Sequence, residues 1–249
     1  MTAITAMTEA RSPAATLADA AIGQIAVDIP GATAVFRRLK IDFCCGGQIS
    51  LRQALADKGL DLQSVSAELA ALKQPQNSAS DAAGFASPSA MIDHIISRYH
   101  EVHRAQLPEL IRMAHLVEAV HKGHADVPVG LAALLESMQA ELLSHMQKEE
   151  LVLFPSLKKG GNPYIAQPIA MMRHEHTDHG SALDRLVELT HDMQAPEQAC
   201  NTWRALYAGL NQLRDDLISH IHMENNILFP LQEKPVPQSG CASSGCGCS

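Results

Sequence analysis

Two stretches of this chain carry residues at a spacing suited to holding a metal. Ser144 to Pro155 (SHMQKEELVLFP) and Ser219 to Pro230 (SHIHMENNILFP) both read S-H-x-x-x-E, then three residues, then L-F-P. Each sets a histidine four residues ahead of a glutamate, His145 with Glu149 and His220 with Glu224. On an α-helix such a pair lies on one face, one turn apart, so an imidazole and a carboxylate can meet a single ion. A lone helical histidine reads as a surface or core residue, and His94, His115, His124, His174, His191 and His222 are taken that way. The duplicated pair differs, because a histidine and a glutamate buried without partners on apolar helices would each cost several kcal/mol. Glu150 lies well round the helix from His145, its counterpart is Asn225, and it is expected to face solvent.

The duplication extends upstream. His100 precedes His145 by 45 residues and His176 precedes His220 by 44, and each opens an H-x-x-H, with His103 and His179 as the second members. One helical hairpin is therefore used twice, at a period of about 75 residues. In an up-down-up-down bundle the first and third helices run parallel, as do the second and fourth, and all four motifs can share one level. Four imidazoles and two carboxylates then converge. Residues i and i+3 lie within about 60° of one another, so spacing alone leaves both members of each H-x-x-H open. His100 and His176 are favoured as ligands, with His103 and His179 behind them or facing solvent.

A competing set exists. Glu118/His121 and Glu188/His191 spell the E-x-x-H of ferritin-like bundles. His121 stands about 30 Å from His100 along a continuous helix, and the fourth helix offers no acid at that level between Ala199 and Arg214. That arrangement fails for want of a ligand. The favoured set has no thiolate and too many donors for one tetrahedral zinc. It suits two ions that share nitrogen and oxygen donors, with Glu149 and Glu224 bridging. Two iron ions fit best, with room for a small diatomic or an oxo bridge.

The elements that position these residues are helical. Hydrophobic residues make up 46% of the chain and aromatics only 4%, and no strand-like alternation of any length appears. The expected fold is all-α, a four-helix bundle preceded by a small helical domain. Residues 1–15 read as a flexible start, 16–73 as the small domain with its Asp42–Gly47 (DFCCGG) break, and 74–88 as a Pro/Ser/Asn-rich linker. Residues 89–233 read as the bundle and 234–249 as a disordered tail with Cys241, Cys246 and Cys248. Helices are expected over about 89–121, with Pro108 bending the first, then 129–157, 165–193 and 196–231. A formal charge of -8 with no Lys/Arg stripe excludes nucleic acid as a partner. The absence of a long apolar run or a leader pattern points away from a membrane, and six scattered cysteines point to a reducing cytoplasm. A homodimer stays open.

The bundle motifs, together with CCGG, RYHEVHRAQLPEL, SHMQKEELVLFP and HIHMENNILFP, resemble the Repair of Iron Centres family, which has a hemerythrin-like di-iron domain. The likeness spans about Leu17 to Leu231. Carried onto this sequence, it implies His100, His145, His176 and His220 as iron ligands and Glu149 and Glu224 as bridges. It further implies repair of iron–sulfur clusters damaged by nitric oxide or peroxide, with iron offered to damaged proteins. A nitric oxide reductase and a nitric oxide binder or sensor are the alternatives. Cys44 and Cys45 are expected to pass iron or a nitrosyl group, or to act in redox, beside a flexible Gly46-Gly47 hinge. The plainer reading is a packed helix-end pair. The thiol-rich tail departs from the family pattern.

Overall fold

The computed structural model describes residues 17–72, 85–160 and 164–233. The expectations for 1–15, for most of the linker and for the tail lie outside the described residues. Regular structure among those described is helical, apart from one antiparallel bridge between Ala21 and Ser50. No described helix is long and apolar enough to cross a membrane.

The small domain packs α1 (Ile22–Asp28), α2 (Ala32–Arg38), α3 (Leu51–Asp57) and α4 (Leu62–Leu72). Its own apolar cluster includes Ile22, Ile25, Phe36, Phe43, Leu51, Leu55 and Leu69. Ser50 caps α3 by accepting from Gln53 N–H at 3.2 Å. Between α2 and α3 the DFCCGG segment is a tight turn closed on one side chain. Asp42 Oδ1 accepts from Cys45 N–H and Oδ2 from Gly46 N–H, both at 2.9 Å.

The bundle has four members. α5 runs through Pro88–Ile95, a π-helical turn Ile96–His100, and Glu101–Val120; α6 through Leu131–Lys148, a π-helical turn Glu149–Leu153, and Phe154–Lys158. α7 is Ala166–Leu189, and α8 runs through Asn201–Met223, a π-helical turn Glu224–Leu228, and Phe229–Glu233. α5 packs on α6 and α8, and α6 on α7. The repeated L-F-P accounts for two of the π turns. Pro155 and Pro230 lack the N–H that would bond four residues back, and their rings crowd that carbonyl, so the ladder shifts register. Phe154 N–H then bonds Glu149 C=O, and Phe229 N–H bonds Glu224 C=O, five residues back. In α5 the Ser97 hydroxyl donates to Asp93 C=O at 2.9 Å, competing with the backbone ladder within its π turn.

The junction between α7 and α8 departs from expectation. α7 ends at Leu189 and α8 begins at Asn201, not at Pro196. His191, Asp192 and Met193 all have positive φ (48°, 61° and 54°), which reverses the chain. Pro196 instead sits in a turn, its carbonyl accepting from Ala199 N–H at 2.9 Å.

Two apolar clusters fill the bundle. One, with Leu110, Leu135, Trp203, Leu206 and Leu210, lies toward the far end, and the other gathers Ile92, Ile95, Phe154, Ile169, Leu228 and Phe229. The candidate ligands form a polar layer between them.

The small domain docks at this layer, α1 packing on the π turn of α8. Asn226 Nδ2 donates to Phe43 C=O at 3.1 Å, and Asn225 Nδ2 to Cys44 C=O at 3.0 Å. The Gly46-Gly47 pair is therefore not the hinge expected from sequence. A Cβ on Gly47 would stand 2.6 Å from Phe43 O and 2.8 Å from Asn226 Oδ1, so glycine here serves close backbone approach. Gly47→Ala is expected to destabilise the protein by about 1–3 kcal/mol. Thermal melting checks this; an unchanged midpoint would show that the docked turn yields freely.

Candidate metal centre

Six side chains from four helices meet in the polar layer: His100 (α5), His145 and Glu149 (α6), His176 (α7), and His220 and Glu224 (α8). All are 0–1% exposed. They divide into two groups that share both glutamates, His100/His220/Glu149/Glu224 and His145/His176/Glu149/Glu224, with the donor atoms of each group within 4.8 Å of one another. Glu149 turns Oε2 to His100 Nε2 and Oε1 to His145 Nε2, each at 3.3 Å. Glu224 turns Oε1 to His220 Nε2 at 3.2 Å and Oε2 to His176 Nε2 at 3.0 Å. Each carboxylate thus offers one oxygen to each group. Within a group the two imidazoles present Nε2 to one another at 3.1 Å.

These donors fit cations better than each other. Both Glu149 oxygens and Glu224 Oε2 are buried without a hydrogen-bond partner, an arrangement that is costly unless a positive charge stands between them. Burial alone would lower the pKa of His145 and His100, but neighbouring Glu149 reverses this and holds His145 up to about 9 and His100 above its ordinary value. Burial would raise the two carboxyl groups, yet the surrounding imidazoles hold both below the usual range. Burial and the His100 charge push His220 well down. The chain thus builds an anionic pocket that binds protons where a metal ion can take their place.

The outer partners of the imidazoles repeat with the hairpin, and sequence reading missed this. Glu150, expected to face solvent, has its side chain only 26% exposed and sits 2.7 Å from His100 Nδ1, with Arg104 at 2.8 Å on the same oxygen. Asn225, its counterpart, places Oδ1 2.9 Å from His176 Nδ1. The residue after each shared glutamate therefore serves the histidine of the neighbouring hairpin arm. Glu175 Oε2 lies 2.9 Å from His145 Nδ1 and is also paired with Lys148. Its counterpart is Tyr99, whose ring lies parallel to that of His220 at 5.4 Å, and His220 Nδ1 has no partner. An acceptor on Nδ1 leaves the Nε2 lone pair facing the centre. The repeated L-F-P also has a purpose here, since Phe154 stacks on His100 at 5.7 Å and Phe229 on His176 at 6.1 Å.

His103 and His179 are not solvent-facing. They are 0% and 4% exposed, with ring centroids 5.6 Å from His220 and 5.0 Å from His145 respectively. Burial holds both near pKa 3, so they are neutral walls of the site. The E-x-x-H residues stand elsewhere. Glu118 accepts from Ala132 N–H at the start of α6, and His121 lies against Trp203 and Cys200. Cys44 is 8% exposed and Cys45 half-buried, their sulfurs 3.7 Å apart in the docked turn. Neither is among the six.

Loss of an outer carboxylate is expected to act on one group only. Glu150→Ala should weaken metal retention at the His100/His220 position, and Glu175→Ala at the His145/His176 position, each by about 10–100-fold. Titration with a competing chelator reads this. Equal loss from both positions in either variant would contradict the pairing.

Residues 91–231 match the family described as the hemerythrin HHE cation binding domain, and residues 18–73 match ScdA_N, described as a domain of unknown function. The first match covers more than half of the chain, and the chain belongs to the hemerythrin HHE cation-binding family. It is also similar over most of its length to relatives named for iron-sulfur cluster repair. The iron-sulfur cluster repair protein YtfE of Dickeya chrysanthemi is 47% identical over 212 residues, covering 85% of this chain and 96% of the relative. That of Pectobacterium carotovorum subsp. carotovorum is 47% identical over 213 residues, with the same coverage. The probable iron-sulfur cluster repair protein of Haemophilus influenzae is 45% identical over 217 residues, covering 86% and 97%. The resemblance read from the CCGG and H-x-x-x-E motifs is borne out by these matches.

Proposed function

We propose that this chain holds two iron ions between its four bundle helices and uses them to repair iron–sulfur clusters damaged by nitrosative or oxidative stress. The carrying observation is the sharing of Glu149 and Glu224 between two histidine pairs, each carboxylate giving one oxygen to either side. The repair proteins named above, similar over 85–86% of the chain, supply the biological setting. His100 and His220 with one oxygen of each glutamate would hold one iron, and His145 and His176 with the remaining oxygens the other. When bound, such iron supplies exchangeable metal for a depleted cluster and open positions that take nitric oxide.

The chain's own residues set the conditions for that chemistry. Glu150, Glu175 and Asn225 fix the tautomers of three imidazoles, and Arg104 and Lys148 hold the two outer carboxylates in place. Phe154, Phe229 and Tyr99 cover ring faces and exclude water. Neutral His103 and His179 close the sides without adding charge. The free thiols at Cys44, Cys45 and Cys200 suit a reducing cytoplasm.

The test is anaerobic loading with iron followed by incubation with a nitric-oxide-damaged iron–sulfur protein. Repair is expected to restore cluster absorbance in the target while iron leaves this chain. Multiple turnovers of nitrous oxide from the reduced protein, without iron transfer, would favour the nitric oxide reductase reading. Stoichiometric reversible nitric oxide adducts alone would favour a sensor.

A further inference from the structure

The docked turn between α2 and α3 contains a second cluster of metal donors, apart from the six residues of the bundle. Asp42, Cys44 and Cys45 present one carboxylate oxygen and two sulfurs within 4.8 Å of one another. Two of the three separations match edges of a coordination tetrahedron. With metal–sulfur bonds of about 2.3 Å and metal–oxygen bonds of about 2.0 Å, tetrahedral angles set sulfurs about 3.8 Å apart and sulfur and oxygen about 3.5 Å apart. The sulfurs stand 3.7 Å apart, and Cys44 Sγ is 3.3 Å from Asp42 Oδ1. In the metal-free turn the Cys44 thiol donates to that carboxylate oxygen, and a cation would take the place of this proton.

The backbone holds this shape. Asp42 is anchored by the N–H groups of Cys45 and Gly46, and the absence of a side chain at Gly47 lets the turn seat against Gly23 and Asn226. Asp42, Cys44 and Cys45 line a cleft of about 470 Å³ between the small domain and α7, with Thr177, Ser181 and Asp184 across from them. The cluster also lies next to the bundle centre. Cys45 Sγ is 3.3 Å from the His176 carbonyl oxygen, and Asn225 joins Cys44 C=O to His176 Nδ1.

We propose that Asp42, Cys44 and Cys45 form a third metal site, which takes a thiophilic divalent cation through two thiolates and one carboxylate oxygen, with its fourth position open to the interdomain cleft. Binding releases the thiol protons to solvent and changes no oxidation state. That ferrous iron in transit is the natural occupant rests on the repair reading above; the binding itself does not.

Zinc is the probe, because its absorption edge is read independently of iron. Full-length protein with Cys241, Cys246 and Cys248 changed to serine is loaded anaerobically with iron, given one equivalent of zinc, and examined by X-ray absorption at the zinc edge. The expected shell is two sulfurs at about 2.3 Å and two nitrogen or oxygen atoms at about 2.0 Å. Cys44→Ser and Cys45→Ser should each leave one sulfur, and the double variant none, with iron content and melting temperature unchanged as controls for folding. Asp42→Asn keeps both sulfurs but should weaken zinc retention about tenfold or more. A parent shell without sulfur, or one whose sulfurs survive in the double variant, overturns the site. Iron counted in the same samples reports separately on the bundle, so failure there leaves the zinc result standing.

Discussion

Replacing Glu149 with alanine will empty both metal positions together. Its two oxygens face different histidine pairs, Oε2 toward His100 and Oε1 toward His145, so one substitution removes a ligand from each ion. A histidine variant is different in kind. His100→Ala takes a donor from one position only and leaves His145, His176 and both glutamates intact. Loss of an outer partner costs about 10–100-fold in affinity, and loss of a directly bound, shared carboxylate should exceed that at both sites. Metal counting after gel filtration is expected to give close to no iron for Glu149→Ala and about one ion per chain for His100→Ala. Should Glu149→Ala retain one ion firmly, the carboxylate serves a single position and the shared-bridge arrangement is wrong.

Metal removal will produce the largest change in stability, and its size will depend on pH in a defined direction. Each ion that binds only the folded chain adds about 4 kcal/mol at a free concentration of about a thousand times Kd. In a protein of this size that is roughly 10 °C of melting temperature per ion. Without metal, Glu149 raises His145 from 6.5 to about 9 and raises His100 as well. A raised histidine stabilises the metal-free fold fully below the unfolded value of about 6.5, and that contribution is lost as pH climbs through the folded value. Metal needs the same Nε2 lone pair, so loading at pH 7 must release protons, and affinity must rise with pH until about 9, where His145 is half deprotonated. The melting difference between loaded and chelated protein should therefore widen from pH 6 to pH 9. Calorimetry in buffers of different ionisation enthalpy counts the protons. A proton count of zero at pH 7 would contradict this electrostatic description.

Much of the centre was legible because the chain writes it twice. The matched H-x-x-x-E pairs, set about 75 residues apart, pick out residues that the bundle brings to one level. What stayed hidden follows from how a period is read. Glu150 and Asn225 look unlike in charge, yet each offers an acceptor oxygen, and that shared property is the one its imidazole uses. Glu175 escaped notice because the duplication breaks there, its counterpart being Tyr99, which meets His220 with a ring face instead of an oxygen. The π turns at Glu149 and Glu224 could not be foreseen from a uniform helical pitch, although Pro155 and Pro230 mark where the ladder must slip. The choice between His100 and His103, or His176 and His179, needs a rotation that i and i+3 do not resolve. Gly46-Gly47 read as a hinge because the contact that requires Gly47 lies with Asn226, far along the chain. The start of α8 moved from Pro196 to Asn201 for a similar reason, since three left-handed residues before it leave no local signature.

The most direct measurement is iron-edge X-ray absorption on anaerobically loaded protein, with the metal counted in the same sample. Two irons per chain are expected, each in a shell of nitrogen and oxygen with imidazole scattering, and each with a second iron within about 4 Å. A single iron, or a shell containing sulfur with no neighbouring iron, would contradict the sharing of Glu149 and Glu224 on which the function rests.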